Sequence, residues 1–243
     1  MKNKKNVIIL LGVVLVLVIG GGIYKSVSEH KFKNLDVSWG MGTKVTQSIS
    51  NNRDYEWYVD QMATGRNAVL NCAPTTVEMV AKWQDENSSI KTKNIVDKYI
   101  PEGIRYNGVD SFTLYNWLVE NGINTTMLKD LTEDSLTAEL DKGNIVIVGL
   151  DLKYITYNSN SLERVGLCLD IKNSPGNAWH YVIAKGYKEV DDKLYFETYD
   201  PFSNYQKYDD GQLIGQNRYY ISNEFIEAAN MYFPDVIVIE KTK

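Results

Sequence analysis

The sequence predicts an α+β fold in which helices come first and an antiparallel sheet follows. Between residues 72 and 142 apolar residues recur at the spacing of a helix, whereas from Ile145 onwards they form short runs typical of buried strands. Short turns separate several of these runs, which favours hairpin connections. Helices that precede strands along the chain, without alternation, are the pattern of the α+β class.

Three helices are predicted in the first half from their start signals. Pro74 fits the first turn of a helix, because the backbone donor that proline lacks would have no partner there. Asp110 and Thr132 are N-cap residues, each followed by an apolar residue at the position of a hydrophobic staple. The predicted helices begin at Cys72, span 110–121, and run from Thr132 to just before Gly143.

The second half is predicted to be mostly strands. The pair Asp191-Asp192 separates two apolar runs and predicts a hairpin between the strand that contains His180 and the next strand. The predicted strands are 145–148, 181–184, 194–199, 219–221 and 236–239, with a short helix over 223–231 before the last one.

Composition limits the classes of function. At 243 residues, with 44% hydrophobic residues, the chain is long enough for one folded domain and an appendage. A net charge of -5 gives no basic surface that would attract phosphates, so a nucleic-acid partner is not expected. Two cysteines and two histidines are too few for a typical zinc cluster. We therefore expect neither a metal nor a cofactor.

The N-terminus predicts a membrane anchor. A charge-free apolar run from Val7 to Ile23 follows three lysines and is long enough to be a short membrane-spanning helix. The expected organisation is a transmembrane helix over 1–24, a polar stalk over 25–52 and one domain over 53–243, with the domain outside a single-pass cell membrane. Cleavage as a signal peptide is the alternative, and it would release a secreted protein.

Two residues carry the strongest chemical signal. Cys72 lies at the start of a predicted helix, where backbone donors and the helix dipole favour a thiolate. Taken alone, it is equally well explained as a small buried residue. His180 is the only histidine in the domain, and imidazole is the side chain suited to act as a base for a thiol at neutral pH.

Two further residues complete a candidate catalytic group. Asp200 follows the strand predicted to pair with the strand of His180, so its carboxylate is placed to accept the second imidazole N–H. A plain turn is the alternative explanation of Asp200-Pro201. Gln61, upstream of Cys72, is an amide donor for the oxyanion of an acyl-transfer intermediate, although its position alone is a weak signal.

These motifs resemble the papain-like cysteine peptidase superfamily. The resemblance rests on Gln61, on Asn-Cys-Ala-Pro-Thr from residue 71, on Trp-His-Tyr-Val from residue 179 and on Tyr-Asp-Pro from residue 199. Within the superfamily they are similar to the peptidase domains that cleave double-glycine leaders from bacteriocins, and to stand-alone relatives exported by Gram-positive bacteria. The resemblance implies Cys72 as nucleophile, His180 as base and acid, Asp200 as the orienting carboxylate and Gln61 as the oxyanion donor.

The chain departs from that pattern at two places. Ala73 stands where these relatives usually have glycine, which puts close approach of substrate over the backbone in doubt. The spacing from Gln61 to Cys72 is also longer, and Asn71 is the substitute for Gln61 as donor. Asn71, Ala73 and Trp179 adjoin the reacting residues and are the candidates for substrate contacts.

Three functions therefore remain open. The first is a thiol hydrolase, either peptidase or amidase, that acts on a peptide or protein substrate. The second is a catalytically silent binding module with the same fold, and the third is an acyl transferase that uses the same three residues. A disulfide between Cys72 and Cys168 would exclude the first and third, but Cys168 lies between two leucines and is interpreted as a buried strand residue.

Overall fold

The computed structural model of the chain describes residues 39–103, 106–160, 162–167, 178–232 and 234–242. Within these ranges it confirms the α+β prediction, with helices packed on an antiparallel sheet. The helices are α1 (Cys72–Gln84), α2 (Thr92–Tyr99), α3 (Ser111–Glu120), α4 (Glu133–Asp141) and α5 (Ser222–Tyr232). The strands are β1 (Val45–Ser50), β2 (Thr125–Leu128), β3 (Ile145–Asp151), β4 (Trp179–Val190), β5 (Lys193–Tyr199), β6 (Arg218–Ile221) and β7 (Val236–Ile239).

Strand β4 is the centre of the sheet. The strand order is β2-β7-β3-β4-β5-β6, and β1 pairs with the second half of β4, beyond the part that pairs with β3. The predicted hairpin joins β4 to β5 through Asp191 and Asp192, whose φ angles of 49° and 61° are those of a tight left-handed turn. This hairpin brings the start of β4 beside the end of β5.

Two apolar cores cover the two faces of the sheet. Helices α1, α2 and α3 pack on one face, where they meet Tyr181 and Ile183 of β4. Helices α4 and α5 pack on the other, against Val182 and Ala184. Successive residues of β4 point to opposite faces, and both faces are covered, so the segment 181–184 is an unbroken apolar run in the sequence.

Helix α2 was not predicted, and its cap explains why. Its N-cap residue, Lys91, makes no side-chain capping hydrogen bond. The carboxylate of Glu78 on α1 accepts hydrogen bonds from the backbone nitrogen of Thr92 at 2.7 Å and from its hydroxyl at 2.8 Å. A cap supplied from another helix leaves no local start signal in the sequence.

The described part of the predicted stalk belongs to the folded domain. Strand β1 lies within 25–52, and Trp39 packs its ring 4.1 Å from the Arg164 guanidinium while its carbonyl accepts the Arg164 N–H at 3.0 Å. The domain therefore begins before residue 53, because this polar segment gains backbone partners along β4. Residues 1–38, which contain the predicted membrane helix, lie outside the described residues. Within the described ranges, no helix has the length and apolar character needed to cross a bilayer.

Candidate active site

The candidate nucleophile lies at the beginning of α1. Cys72 is the first residue of the helix, and its side chain is half-buried and carries a free thiol. Backbone N–H groups of Ala73 and Tyr181 donate toward the sulfur. The sulfur thus sits among fixed donors where the helix begins, in the environment that the sequence predicts for a reactive thiol. Cys168 lies outside the described residues.

His180 connects the thiol to a carboxylate. It lies near the start of β4, opposite Leu150 of β3, and only 7% of its surface is exposed. Its Nε2 donates to Oδ1 of Asp200 at 2.6 Å, and its side chain also forms a hydrogen bond with Cys72. Because Nε2 is bonded to Asp200, Nδ1 is the ring atom that faces the sulfur.

Asp200 is fixed at both its side chain and its backbone. Oδ1 also accepts the backbone N–H of Phe202 at 2.8 Å, and Oδ2 accepts the hydroxyl of Tyr220 at 3.0 Å. The carbonyl oxygen of Asp200 accepts the hydroxyl of Tyr58 at 2.8 Å, and its N–H donates to Gly215 at 2.9 Å. The carboxylate therefore lies in one orientation, with an oxygen directed at the imidazole.

The electrostatics of the three residues favour a charged pair. Burial alone would raise the pKa of the Cys72 thiol, but the hydrogen bond and positive charge of His180 outweigh it, so that pKa lies below its usual value. Burial opposes charge on the ring, yet the Asp200 carboxylate and the Cys72 sulfur raise the pKa of His180 from 6.5 to about 10. Burial likewise opposes ionisation of Asp200, and the imidazolium lowers the pKa of that carboxyl nonetheless. Thiolate and imidazolium thus stabilise each other.

Comparison with solved structures identifies the fold. The fold is similar to that of a C39-like peptidase. The neighbour is a crystal structure from Bacillus anthracis, provisionally described as a C39-like peptidase, with a TM-score of 0.53 and 12% sequence identity. The alignment covers 81% of this chain and 99% of that one. No family profile matches the chain, and no curated protein matches it either. At 12% identity the likeness shows a C39-like peptidase fold and no residue roles.

Gln61 lies in this peptidase-like fold as a buried residue at the start of a short 3-10 turn, Gln61–Ala63. Its Nε2 donates to the carbonyl oxygens of Ala68 and Val69, both at 3.0 Å, and its Oε1 is buried without a hydrogen-bond partner. A neutral amide nitrogen carries two hydrogens. In this conformation both are used by the loop before Cys72, and the role of Gln61 as oxyanion donor stays a prediction.

The three candidate substrate contacts have different surroundings. Asn71 is fully buried, and its Nδ2 donates to the Thr64 hydroxyl and the Arg66 carbonyl, both at 2.9 Å. Ala73 is also fully buried, with neither its methyl group nor its backbone exposed to solvent. Trp179, next to His180, is 49% exposed and is the one of the three with a side chain accessible from solvent.

The sequence did not reveal the residues that hold the carboxylate. Tyr58 and Tyr220 lie far from Asp200 in sequence, and nothing local distinguishes them among 17 tyrosines. Position 215 requires glycine, because a Cβ there would overlap the Asp200 carbonyl oxygen and the Tyr58 hydroxyl. Across the described residues, no group of histidine, cysteine and acidic side chains is arranged to hold a metal ion.

Proposed function

We propose that this chain is a cysteine peptidase or amidase in which Cys72, His180 and Asp200 act together. The observation that carries the proposal is the continuous hydrogen-bonded chain from the Cys72 sulfur through the imidazole to the Asp200 carboxylate. Each member has an environment that favours the form needed for nucleophilic catalysis. The similar fold of a C39-like peptidase supports the same reading.

The geometry suits a two-step reaction. In the first step the Cys72 thiolate attacks the carbonyl carbon of the substrate, the C–N bond breaks, and the His180 imidazolium gives its proton to the departing amine. In the second step water attacks the thioester, His180 takes a proton from that water, and the thiolate leaves as the acid forms. Asp200 accepts the Nε2–H throughout and orients the ring.

The first experiment tests the activated thiol. A Cys168→Ser background leaves Cys72 as the single thiol of the 243-residue chain. We expect stoichiometric alkylation by iodoacetamide at pH 6 to 7, with a rate that falls by roughly 100-fold in His180→Ala because the thiolate loses its counter-ion. Equal, slow alkylation of the two proteins would contradict an activated pair.

The second experiment tests turnover. A library of peptides and amides is incubated with the protein, and Cys72→Ala is the matched control because it removes only the sulfur. We expect cleaved product and a trapped thioester with the parent protein and neither with the variant. Products in which an added amine replaces water would assign acyl transfer in place of hydrolysis.

A catalytically silent binding module is the second candidate, and one observation favours it. Both N–H groups of the Gln61 amide are bonded to the preceding loop, so an oxyanion would lack this side-chain donor unless the amide moves. Removal of one oxyanion donor costs on the order of 100-fold or more in kcat in other enzymes. A thiol that is alkylated rapidly but gives no thioester with any substrate would favour this candidate.

We further propose that the domain is exported and anchored by residues 1–24, from the apolar run between Val7 and Ile23. The test is expression of the full chain in a Gram-positive host, followed by fractionation and protease treatment of whole cells. We expect a membrane-bound protein that external protease removes. Recovery in the medium with a shortened N-terminus would show a cleaved signal, and recovery in the cytoplasm would contradict export.

A further inference from the structure

The two oxygens of the Asp200 carboxylate have different partners. Oδ1 accepts from His180 and from the Phe202 backbone, whereas Oδ2 accepts from the hydroxyl of Tyr220 at 3.0 Å. Tyr220 lies on β6 opposite Phe196 of β5, is fully buried, and stacks its ring on Phe225 with centroids 5.8 Å apart. The hydroxyl therefore comes from a ring that packing holds in place.

The backbone of Asp200 is fixed independently of Tyr220. The Tyr58 hydroxyl donates to its carbonyl oxygen, and the same hydroxyl forms a hydrogen bond with Ser203. Ser203 in turn accepts the N–H of Gly215, which pairs with the Asp200 backbone. With the main chain held, the remaining freedom is rotation of the carboxylate. The two donors to Oδ1 hold that oxygen in place but still allow the carboxylate to turn about it. The hydrogen bond from Tyr220 to Oδ2 therefore fixes the plane of the carboxylate.

We propose that Tyr220 is a positioning residue, whose hydroxyl fixes the rotation of the Asp200 carboxylate and thereby keeps the His180 imidazole directed at Cys72. The inference rests on the proposed function, because it assigns a role within the same site. Tyr220 acts through Asp200 and itself touches no reacting atom.

The consequence of losing the hydroxyl follows from burial. Without it, one oxygen of a buried carboxylate has lost its donor, and an ionised group in that condition is strongly disfavoured. The carboxylate then rotates or takes up a proton, and either change removes negative charge from beside the imidazole. The titratable groups that face Asp200 are His180 from β4 and Tyr220 from β6, with Tyr58 against its carbonyl and Cys72 beyond the ring.

The test is Tyr220→Phe, which removes the hydroxyl and keeps the ring. The matched control is Tyr195→Phe on β5, another buried tyrosine, whose hydroxyl donates to the Met41 carbonyl at 3.3 Å. In the Cys168→Ser background, the pH dependence of iodoacetamide alkylation gives the pKa of the Cys72 thiol. We expect the Tyr220 variant to raise that pKa by about one unit, which is roughly a tenfold loss of thiolate at low pH, and the Tyr195 variant to leave it unchanged.

Two further measurements separate positioning from general destabilisation. Circular dichroism should show both variants folded, and with a cleavable substrate kcat should fall while KM stays the same. In an Asp200→Asn background, Tyr220→Phe should have no further effect on the alkylation rate. Tyr220 acts only through the Asp200 carboxylate, and that carboxylate is already absent.

The outcomes distinguish the inference from the function on which it rests. If the parent thiol has a low pKa and Tyr220→Phe shares it, the positioning role is wrong and the proposed function stands. If the parent thiol titrates as an ordinary cysteine, both are wrong. A rise of similar size in Tyr195→Phe would also overturn the inference, since it would show a structural effect common to buried tyrosines.

Discussion

Replacement of Asp200 by asparagine tests the central electrostatic argument. The side chain keeps its size but loses the charge that lies 2.6 Å from Nε2 of His180. Asp200 and the Cys72 sulfur together raise the pKa of His180 from 6.5 to about 10 against the effect of burial, a difference worth roughly 5 kcal/mol. The thiolate supplies part of this stabilisation, so we expect a loss of rate on the order of 100-fold, which corresponds to about half of that difference.

The assay is the rate of Cys72 alkylation at pH 7 beside kcat/KM for a cleaved substrate. Both rates should fall by similar factors, because both depend on the same thiolate and imidazolium pair. Asp191→Asn is the matched control, since its exposed carboxylate accepts only hydrogen bonds of residues 43 and 44 among those described, at the β4–β5 turn. If the Asp200 variant stays within threefold of the parent protein in both assays, the carboxylate does not stabilise the imidazolium and the reasoning fails.

The remaining predictions concern pH and backbone packing. The profile of kcat/KM should be bell-shaped: activity is lost at low pH when the Cys72 thiolate is protonated, and at high pH when His180 loses its proton. Because the pKa of His180 is raised to about 10, the alkaline limb should lie near pH 10, and a limb near 6.5 would contradict the pair. Gly215→Ala should destabilise the domain by about 2 kcal/mol or more in urea unfolding and slow Cys72 alkylation, because its Cβ would overlap the Asp200 carbonyl. Gly211→Ala is its control: the new Cβ meets nothing within 4 Å, so only the backbone φ of 88° opposes it, at about 1 kcal/mol, and alkylation should not change.

Elements whose physical cause is local could be predicted from the sequence. Helix α1 begins at Cys72 as predicted from Pro74, and Asp110 caps α3 through a 2.7 Å hydrogen bond from the backbone of Thr113. The β4–β5 hairpin follows from its turn, and a hairpin brings the start of one strand beside the end of the next. For this reason two residues twenty positions apart, His180 and Asp200, were expected to lie close together.

Elements whose cause lies far away in the sequence could not be predicted. Strand β1 forms because its polar residues pair with the second half of β4, more than 130 positions later. The cap of α2 comes from Glu78 on another helix, and the donor to Oδ2 of Asp200 comes from Tyr220 on β6. The position of the Gln61 amide depends on the conformation of the loop that follows it, which includes Asn67 at a φ of 62°. None of these contacts has a signature within a few residues.

A β-bulge in β4 has a signal in the sequence that the predictions above did not use. Val182, Ala184 and Tyr187 all pack in the core beneath α4 and α5. In a regular strand, residues on one face are separated by an even number of positions. Ala184 and Tyr187 are three positions apart, so the alternation of faces is broken between them. The pairing of β4 with β5 shifts register between Ala184 and Gly186, which leaves Lys185 as the extra residue of a bulge.

Lys185 is buried, and the bulge places its ammonium 2.7 Å from Glu197 and 4.8 Å from the Tyr199 ring centroid. Gly186 is required beside it, because a Cβ there would overlap the backbone oxygen of Ile49 on β1. A one-residue slip exchanges the two faces of a strand. The extra residue therefore breaks the alternation of faces along β4, so that residues before Lys185, including His180, and residues after it do not follow one alternating pattern. A lysine followed by glycine directly after an apolar run, as at 181–186, is the sequence pattern from which such a bulge can be inferred.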